Sequence, residues 1–147
     1  MSKKRHTIAI CAYGESSYLE ECILSVEKQT VSSAVYIYTS TPNDFIKSLA
    51  EKYHLPLHIG EQKSIGSDWN QALSHCKTEY VTIVHQDDLY DETFTQKIME
   101  SFEKHPDSTI IYTDYHELKM TSGGSKDIAS NQNLKIKRLM LNVLSVL

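Results

Sequence analysis

Short apolar runs rich in β-branched residues alternate along the chain with segments in which apolar residues return at helical spacing. A short apolar run bounded by turn residues is typical of a buried strand. Apolar residues at i, i+3, i+4 and i+7 are typical of a helix with one buried face. The runs predict five strands, at residues 7–11, 34–38, 57–59, 80–84 and 109–113.

Four apolar stripes predict one helix after each of the first four strands. The last helix should end near His105, because proline at position 106 disfavours the helical conformation of the residue before it. The four stripes are Leu19, Cys22, Ile23 and Val26; Ile46, Leu49, Ala50 and Tyr53; Trp69, Ala72, Leu73 and Cys76; and Phe94, Ile98 and Phe102.

Helix start signals support these placements. Ser17 and Glu20 fit a capping box, and three aspartates, Asp44, Asp68 and Asp91, stand where a first-turn N–H needs a side-chain oxygen. Strands joined by single helices run parallel through right-handed crossovers, with helices on both faces of the sheet. The pattern therefore predicts an α/β protein, a three-layer α/β/α sandwich with a mostly parallel central sheet.

The fourth predicted strand ends in His85, Gln86, Asp87 and Asp88. In parallel sheets, ligands bind beyond the carboxyl ends of the strands, near the point where strand order reverses. Two adjacent carboxylates there repel each other, whereas together they can hold a divalent cation against phosphate oxygens. This end predicts a metal-assisted nucleotide site. No GxxxxGK[ST] or GxGxxG segment is present, which excludes a P-loop and a dinucleotide fingerprint.

Composition indicates an ordinary globular chain of 147 residues, 40% hydrophobic and 23% charged. The net charge of −4 gives no reason to expect a nucleic-acid partner. Three cysteines without a CxxC pair favour neither a disulfide framework nor a zinc site. The basic start lacks the apolar segment of a signal peptide, and no apolar run is long enough to span a bilayer, so we expect a cytoplasmic protein.

The sequence changes character after residue 118, which we take as the end of the first domain, residues 1–118. Residues 119–133 are rich in Ser, Gly and Asn and predict a flexible loop. Residues 134–147 predict a helix that is apolar on most sides and needs covering. We expect this helix to begin an acceptor-binding portion missing from a truncated chain. A partner chain, or peripheral association with a membrane through Lys135, Lys137 and Arg138, is the open alternative.

Four segments, taken in order, resemble the family 2 glycosyltransferases, which have the nucleotide-diphospho-sugar transferase (GT-A) fold. They are the first strand and turn at 8–14, the first helix with Gln29 and Thr30 at 18–30, the segment 65–70, and the strand that ends in Gln86-Asp87-Asp88. The resemblance covers roughly the first 118 residues.

The resemblance implies a pocket for a nucleotide-sugar. In the family, the turn after the first strand lines the base pocket, with the ring of Tyr13 near the base. Gly66 permits close backbone approach, and Asp68 contacts the ligand or simply caps its helix. Trp69 begins an apolar stripe, which favours a core position over the alternative of a stacking platform for the ligand. The implied nucleotide-sugar-binding residues are Ala12, Tyr13, Glu15, Thr39, Ser40, Gly66, Asp68, Asn70, His85 and Gln86.

The chain departs from the family pattern at two places. The family commonly has an aspartate after the second strand that binds uracil or ribose, where this chain has Thr39 and Ser40, so uridine is only a first choice of base. The family metal motif is usually Asp-x-Asp, and His85 stands in place of its first aspartate. Asp87 is the implied ligand of Mn²⁺ or Mg²⁺, with Asp88 assisting. His85 is a manganese ligand, a partner of ribose or phosphate, or a structural histidine.

The family implies transfer of a sugar from a nucleotide-diphosphate donor, with UDP-sugar as first choice, to a hydroxyl of a glycan or lipid-linked acceptor. The reaction is usually inverting and serves glycan or cell-surface polysaccharide synthesis. A cation neutralises the leaving diphosphate, and an acidic side chain deprotonates the acceptor. We expect that base beyond Leu147, so the catalytic residue is unknown and little activity is expected. A non-catalytic nucleotide-sugar-binding module and an unrelated Mg²⁺-dependent phosphotransfer domain are the alternatives.

Overall fold

A computed structural model describes residues 4–61, 64–120 and 126–128. The chain divides into two compact units, Met1–Pro106 and Asp107–Leu147. In the first unit, strands and helices alternate as predicted. Their bounds are β1 (His6–Ala12), α1 (Leu19–Glu27), β2 (Ala34–Thr39), α2 (Asp44–Lys52), β3 (Leu57–Ile59), α3 (Ile65–Ser74), β4 (Tyr80–His85) and α4 (Phe94–Lys104).

The four strands form one parallel sheet in the order β3-β2-β1-β4. From β1 the chain moves outward to β2 and β3, and then returns to place β4 on the other side of β1. The strand order therefore reverses between β1 and β4, where Cys11 lies opposite His85. The predicted parallel α/β sheet is confirmed.

Both faces of the sheet are covered, because alternate residues of a strand point to opposite sides. Ile8 and Ile10 of β1 belong to a core cluster with the buried stripes of α1 and α2. Ala9 belongs to a second cluster with Tyr36, Tyr38 and Ala72 of α3. This arrangement is the predicted three-layer sandwich. Among the described helices, none combines the length and apolar character that a membrane span requires.

The predicted fifth strand at 109–113 is wrong. Residues 110–117 have no regular secondary structure, and Ile110 and Tyr112 are 63% and 79% exposed. A run with high β propensity becomes a strand only where a neighbouring strand and a covered face are available. The second unit instead contains an antiparallel pair, β5 (Leu118–Met120) and β6 (Lys126–Ile128). Within the predicted loop 119–133, the structure describes residues 119–120 and 126–128, and these belong to β5 and β6. The predicted helix 134–147 lies outside the described residues.

Three of the predicted caps are also wrong. The residue before α1 is Tyr18, which makes no side-chain capping bond. The Glu20 carboxylate instead lies against Lys52, the last residue of α2, and Tyr53, which follows it. The N-caps of α2 and α3 are Asn43 and Ser64 rather than Asp44 and Asp68. In both helices, the cap is a neutral residue upstream of the aspartate, one position before Asp44 and four before Asp68. Each of these capping residues has the extended backbone conformation that an N-cap requires.

The predicted end of α4 is confirmed, with His105 at its C-cap. Asp91 also acts near the position predicted for it, since its carboxylate accepts a hydrogen bond from the Thr93 backbone N–H at 2.9 Å, just before α4.

Candidate functional site

A cleft of about 450 Å³ lies at the carboxyl ends of β1, β2 and β4, beside the first turns of α3. This is the position at which the strand order reverses and at which parallel sheets bind their ligands. Its walls combine apolar and aromatic surface with a few polar groups. The lining residues are Cys11, Ala12, Tyr13, Tyr38, Ser64, Ile65, Asp68, Trp69, His85, Gln86 and Asp87.

The turn after β1 is held to the end of β4 by the Gln86 side chain. Its Oε1 accepts a hydrogen bond from the Tyr13 N–H at 3.0 Å, and its Nε2 donates to the Tyr13 carbonyl oxygen at 2.9 Å. The Gln86 amide is thus engaged with the backbone of Tyr13. The Tyr13 side chain remains 58% exposed at the cleft.

The same turn is also held to the loop after β2. The Gly14 N–H donates to Thr41 Oγ1 at 2.8 Å, and Asn43 Nδ2 donates to the Gly14 carbonyl oxygen at 3.0 Å. Gly14 has φ +59°, in the left-handed region that glycine adopts at no steric cost. Three segments distant in sequence therefore fix one rim of the cleft.

At the end of β2, a serine connects the sheet to α3. Ser40 Oγ donates to Asp68 Oδ2 at 2.8 Å. Asp68 Oδ1 is buried and has no hydrogen-bond partner within the described residues. Because Asp68 lines the cleft, this oxygen can accept a hydrogen bond from a ligand. Burial and the negative charge of Asp68 raise the pKa of the Cys11 thiol to about 11, which keeps Cys11 neutral beside it. Thr39 is completely buried, and its Oγ1 accepts from the Thr41 N–H at 3.1 Å.

The Tyr38 ring forms part of the cleft floor. The residue is 1% exposed, and its hydroxyl has no hydrogen-bond partner among the described residues. Gly60 lies directly against it, because a Cβ at residue 60 would be 2.1 Å from Tyr38 Oη. Burial and the nearby charge of Asp68 raise the pKa of Tyr38, so the phenol stays protonated and able to donate.

The acidic end of the site is the turn after β4. The Asp88 N–H donates to the His85 carbonyl oxygen at 3.2 Å, and Cys22 Sγ donates to the same oxygen at 3.4 Å. Desolvation of the carboxyl and the negative charge of Asp87 raise the pKa of Asp88, against an opposing effect of His85. The two carboxylates thus repel each other, which a bound cation would relieve.

The donor set fits a divalent cation that shares its coordination with a ligand. Within residues 4–61, 64–120 and 126–128, no three His, Cys, Asp or Glu side chains are grouped to hold a metal by themselves. A cation bound by Asp87, with Asp88 nearby, would take its other ligands from phosphate oxygens and water, as Mg²⁺ commonly does at nucleotide sites. His85 lies in the cleft wall and adds a nitrogen that Mn²⁺ accepts.

The structure brings six of the predicted site residues into the cleft wall: Ala12, Tyr13, Asp68, His85, Gln86 and Asp87. Ser40 reaches the cleft through Asp68, whereas Thr39 is buried beneath the loop. Glu15, Gly66, Asn70 and Asp88 are not among the lining residues. Five lining residues were not predicted: Cys11, Tyr38, Ser64, Ile65 and Trp69. The sequence marks the first four only by their proximity to a strand end or helix start.

The core position predicted for Trp69 is wrong. Of its stripe, only Ala72 is buried, and Trp69 and Leu73 are each 39% exposed. The first turns of α3 extend past the strand ends, so residues there border the cleft rather than the sheet. The Trp69 ring lies 5.2 Å from the His85 ring, tilted by 48°.

Comparison with known proteins identifies one matching family. The sequence profile described as Glycosyl transferase family 2 matches residues 7–144, nearly the whole chain. No curated protein is similar enough to the chain to count as a match.

Several solved structures share the fold. The structure of S. aureus TarS 1-349 matches with TM-score 0.60 and 21% identity, over 69% of this chain and 33% of that one. A second structure of S. aureus TarS matches with TM-score 0.59 and 20% identity, over 69% of this chain and 20% of that one. The mannosyltransferase PcManGT from Pyrobaculum calidifontis, in complex with GDP-Man and Mn²⁺, matches with TM-score 0.51 and 23% identity, over 60% of this chain and 29% of that one. The chain therefore matches a third or less of each of these structures.

Proposed function

The chain belongs to glycosyl transferase family 2, and we propose that its cleft is the donor site, which binds a nucleotide-diphosphate sugar for transfer to an acceptor hydroxyl. One observation carries the proposal. Asp87 and His85 line a cleft at the reversal of strand order, with the second carboxylate of Asp88 adjacent in the chain. Paired carboxylates at that point suit a diphosphate with its cation better than any neutral ligand.

The proposed cation is Mn²⁺ or Mg²⁺, held by Asp87 with Asp88 and His85 beside it. When bound, such an ion supplies positive charge to the diphosphate leaving group. The protein's own residues position and shield the donor. Gln86 fixes the turn that presents Tyr13, and Ser40 orients the Asp68 carboxylate toward a donor group of the nucleotide. Excluding water from this cleft would also limit hydrolysis of the donor.

Uridine diphosphate is the proposed nucleotide, and guanosine diphosphate is the matched comparison, because one similar structure contains GDP-Man and Mn²⁺. Uracil and guanine each offer a ring N–H that a carboxylate such as Asp68 accepts. We further propose an inverting displacement onto a glycan or lipid-linked hydroxyl, as in polysaccharide synthesis. The anomeric configuration of the product, read by NMR, tests the stereochemistry.

Calorimetric titration of UDP into the purified chain tests the donor site. With Mn²⁺ we expect saturable binding that disappears in EDTA. Asp87→Asn should weaken it by about tenfold or more, because loss of even an outer partner of a metal site commonly costs roughly 10- to 100-fold. The matched control is Asp44→Asn, in a fully exposed side chain of α2 that forms an ion pair with Lys47, and it should leave the affinity unchanged.

Two outcomes would contradict the proposal. Equal binding of pyrophosphate and UDP would indicate a phosphate site without nucleoside recognition, as in a phosphotransfer domain. Failure of the folded chain to bind any nucleoside diphosphate, in Mn²⁺ or Mg²⁺, would remove the donor-site assignment altogether.

A further inference from the structure

Trp69 is the single tryptophan of the chain, and its indole ring lies in the cleft wall. The residue is 39% exposed, although Ala72, one turn later on α3, is completely buried. The helix is therefore seated on the sheet. The exposure of Trp69 comes from its place at the cleft and not from a displaced helix.

The surroundings of the indole suit a flat ligand. Ile65, 69% exposed, lies one turn earlier in the same wall, and the His85 ring approaches the indole at 5.2 Å with a tilt of 48°. A tilted contact of this kind leaves part of the aromatic face uncovered. Large apolar surface left open inside a concave site is stabilised when a planar group covers it.

The position of Trp69 along the cleft selects the part of the ligand that it meets. The first turns of α3 extend from the end of β4, where Trp69 contacts His85, to the end of β2, where Asp68 bonds to Ser40. In the proposed donor site the diphosphate lies at Asp87, and the Asp68 carboxylate, whose Oδ1 has no hydrogen-bond partner among the described residues, accepts the ring N–H of the base. Trp69 follows Asp68 directly on α3 and lines the same wall of the cleft. A base held by Asp68 therefore lies within reach of the indole.

We propose that Trp69 stacks on the base of the bound nucleotide and determines much of the affinity for the nucleoside. This inference rests on the proposed donor site. Every base has a π face, so the contact should favour nucleotides over pyrophosphate without choosing among bases. Loss of a base–aromatic stack weakens binding by roughly 5- to 150-fold.

The fluorescence of Trp69 tests the contact directly in the full chain, since no other tryptophan contributes. With Mg²⁺ present, UDP and GDP should change the emission and protect the indole from quenching by acrylamide. Ribose 5-phosphate and pyrophosphate, which lack a base, should do neither. If ribose 5-phosphate protects as well as UDP, the indole meets the ribose or phosphate and the proposal is wrong.

Two variants and a matched control give the second test, by calorimetry with UDP and pyrophosphate. Trp69→Phe keeps a ring and should bind UDP within about threefold of the wild type, whereas Trp69→Leu should bind it about tenfold more weakly or worse. Affinity for pyrophosphate should stay the same in both. The control is Leu73→Ala, on the same helix with the same 39% exposure but outside the cleft wall, and it should leave both affinities unchanged.

The results separate this inference from the donor-site proposal. If UDP binds but Trp69→Leu retains full affinity, stacking is wrong and the donor site stands. If no nucleotide binds the wild-type chain, both fall together. If Trp69→Leu does not fold, as judged by circular dichroism, the acrylamide protection of the wild-type chain decides the question.

Discussion

His6 is a buried polar residue whose neutrality the fold requires. It is 2% exposed, with Nδ1 2.8 Å from Ser33 Oγ and Nε2 2.9 Å from Thr82 Oγ1. Two neutral hydroxyls satisfy the ring without compensating a positive charge. Desolvation by burial therefore lowers the pKa of His6 to about 4.

This pKa predicts a loss of stability in mild acid. Between pH 6.5 and 4, the unfolded chain takes up a proton at His6 that the folded chain does not, so the free energy of unfolding falls as the pH falls. The full effect, reached near pH 4, is about 3 kcal/mol. Urea denaturation of the wild type and His6→Gln across this range measures it. At pH 7 the wild type should have a larger free energy of unfolding than His6→Gln, and this difference should shrink as the pH falls. A difference that stays constant with pH would contradict the prediction.

Gly60 is required by close approach rather than by an unusual backbone. A Cβ there would lie 2.1 Å from Tyr38 Oη and 2.5 Å from Gln71 Oε1, and the buried Tyr38 ring has little room to retreat. Gly60→Ala should therefore destabilise the fold by about 1–3 kcal/mol. Gly66→Ala is the matched control, since nothing lies within 4 Å of that position and alanine favours a helix. Urea denaturation should separate the two variants; equal effects would argue against the close contact.

At the scale of elements, the start of α2 depends on Asn43. Its Oδ1 accepts from the Ile46 N–H at 2.8 Å, while its Nδ2 donates to the Gly14 carbonyl oxygen on the cleft rim. One side chain thus caps a helix and fixes the turn after β1. The sequence pattern predicts the cap at Asp44, one residue away, because Asn and Asp both favour the N-cap and only the backbone conformation distinguishes the two positions.

The cap predicts a difference between neighbouring substitutions. Asn43→Ala should lower the free energy of unfolding by about 1–2 kcal/mol. Asp44→Ala should cost less than about 0.5 kcal/mol, because the ion pair of its exposed carboxylate with Lys47, at 3.6 Å, lies at the surface. Thermal unfolding of the two variants measures the difference in stability. A larger loss for Asp44→Ala than for Asn43→Ala would indicate that Asp44 is the cap.

The Gln29 side chain connects two helices, α1 and α4. Its Nε2 donates to the Ser25 and Asp91 carbonyl oxygens at 3.1 and 2.7 Å, and its Oε1 accepts from the Thr95 N–H at 2.8 Å. The side chain therefore links the end of α1 to the start of α4 and pairs one first-turn N–H of α4. This gives a structural reason for the glutamine of the Gln29-Thr30 segment named in the family resemblance.

For the molecule as a whole, both core clusters formed by the described residues lie within the first unit. Their buried residues run from Ile8 to Val84, and the surrounding partly buried residues extend only to Tyr90. Residues 1–106 expressed alone should therefore keep the helical circular dichroism and unfold cooperatively. A fragment that is unfolded, or that melts without a cooperative transition, would show that residues 107–147 are part of the folding unit.

The alternation of strands and helices, the parallel sheet and the acidic end of the fourth strand could all be predicted from the amino-acid sequence. These features depend on the spacing of apolar residues and on the chemistry of side chains that are close together in the sequence. The stripe of α1 illustrates this, because Leu19, Cys22, Ile23 and Val26 are all buried as predicted.

Which residues meet at the cleft depends on the folded chain. Ser40 and Asp68 are hydrogen-bonded although 28 residues apart, and Gln86 holds Tyr13 across 73 positions. The same limit explains the wrong predictions: Trp69 borders a cleft because α3 extends past the sheet, and residues 109–113 form no strand because none pairs with them among the described residues. Burial and strand pairing depend on which residues lie opposite in the fold. The periodicity of a single segment does not contain that information.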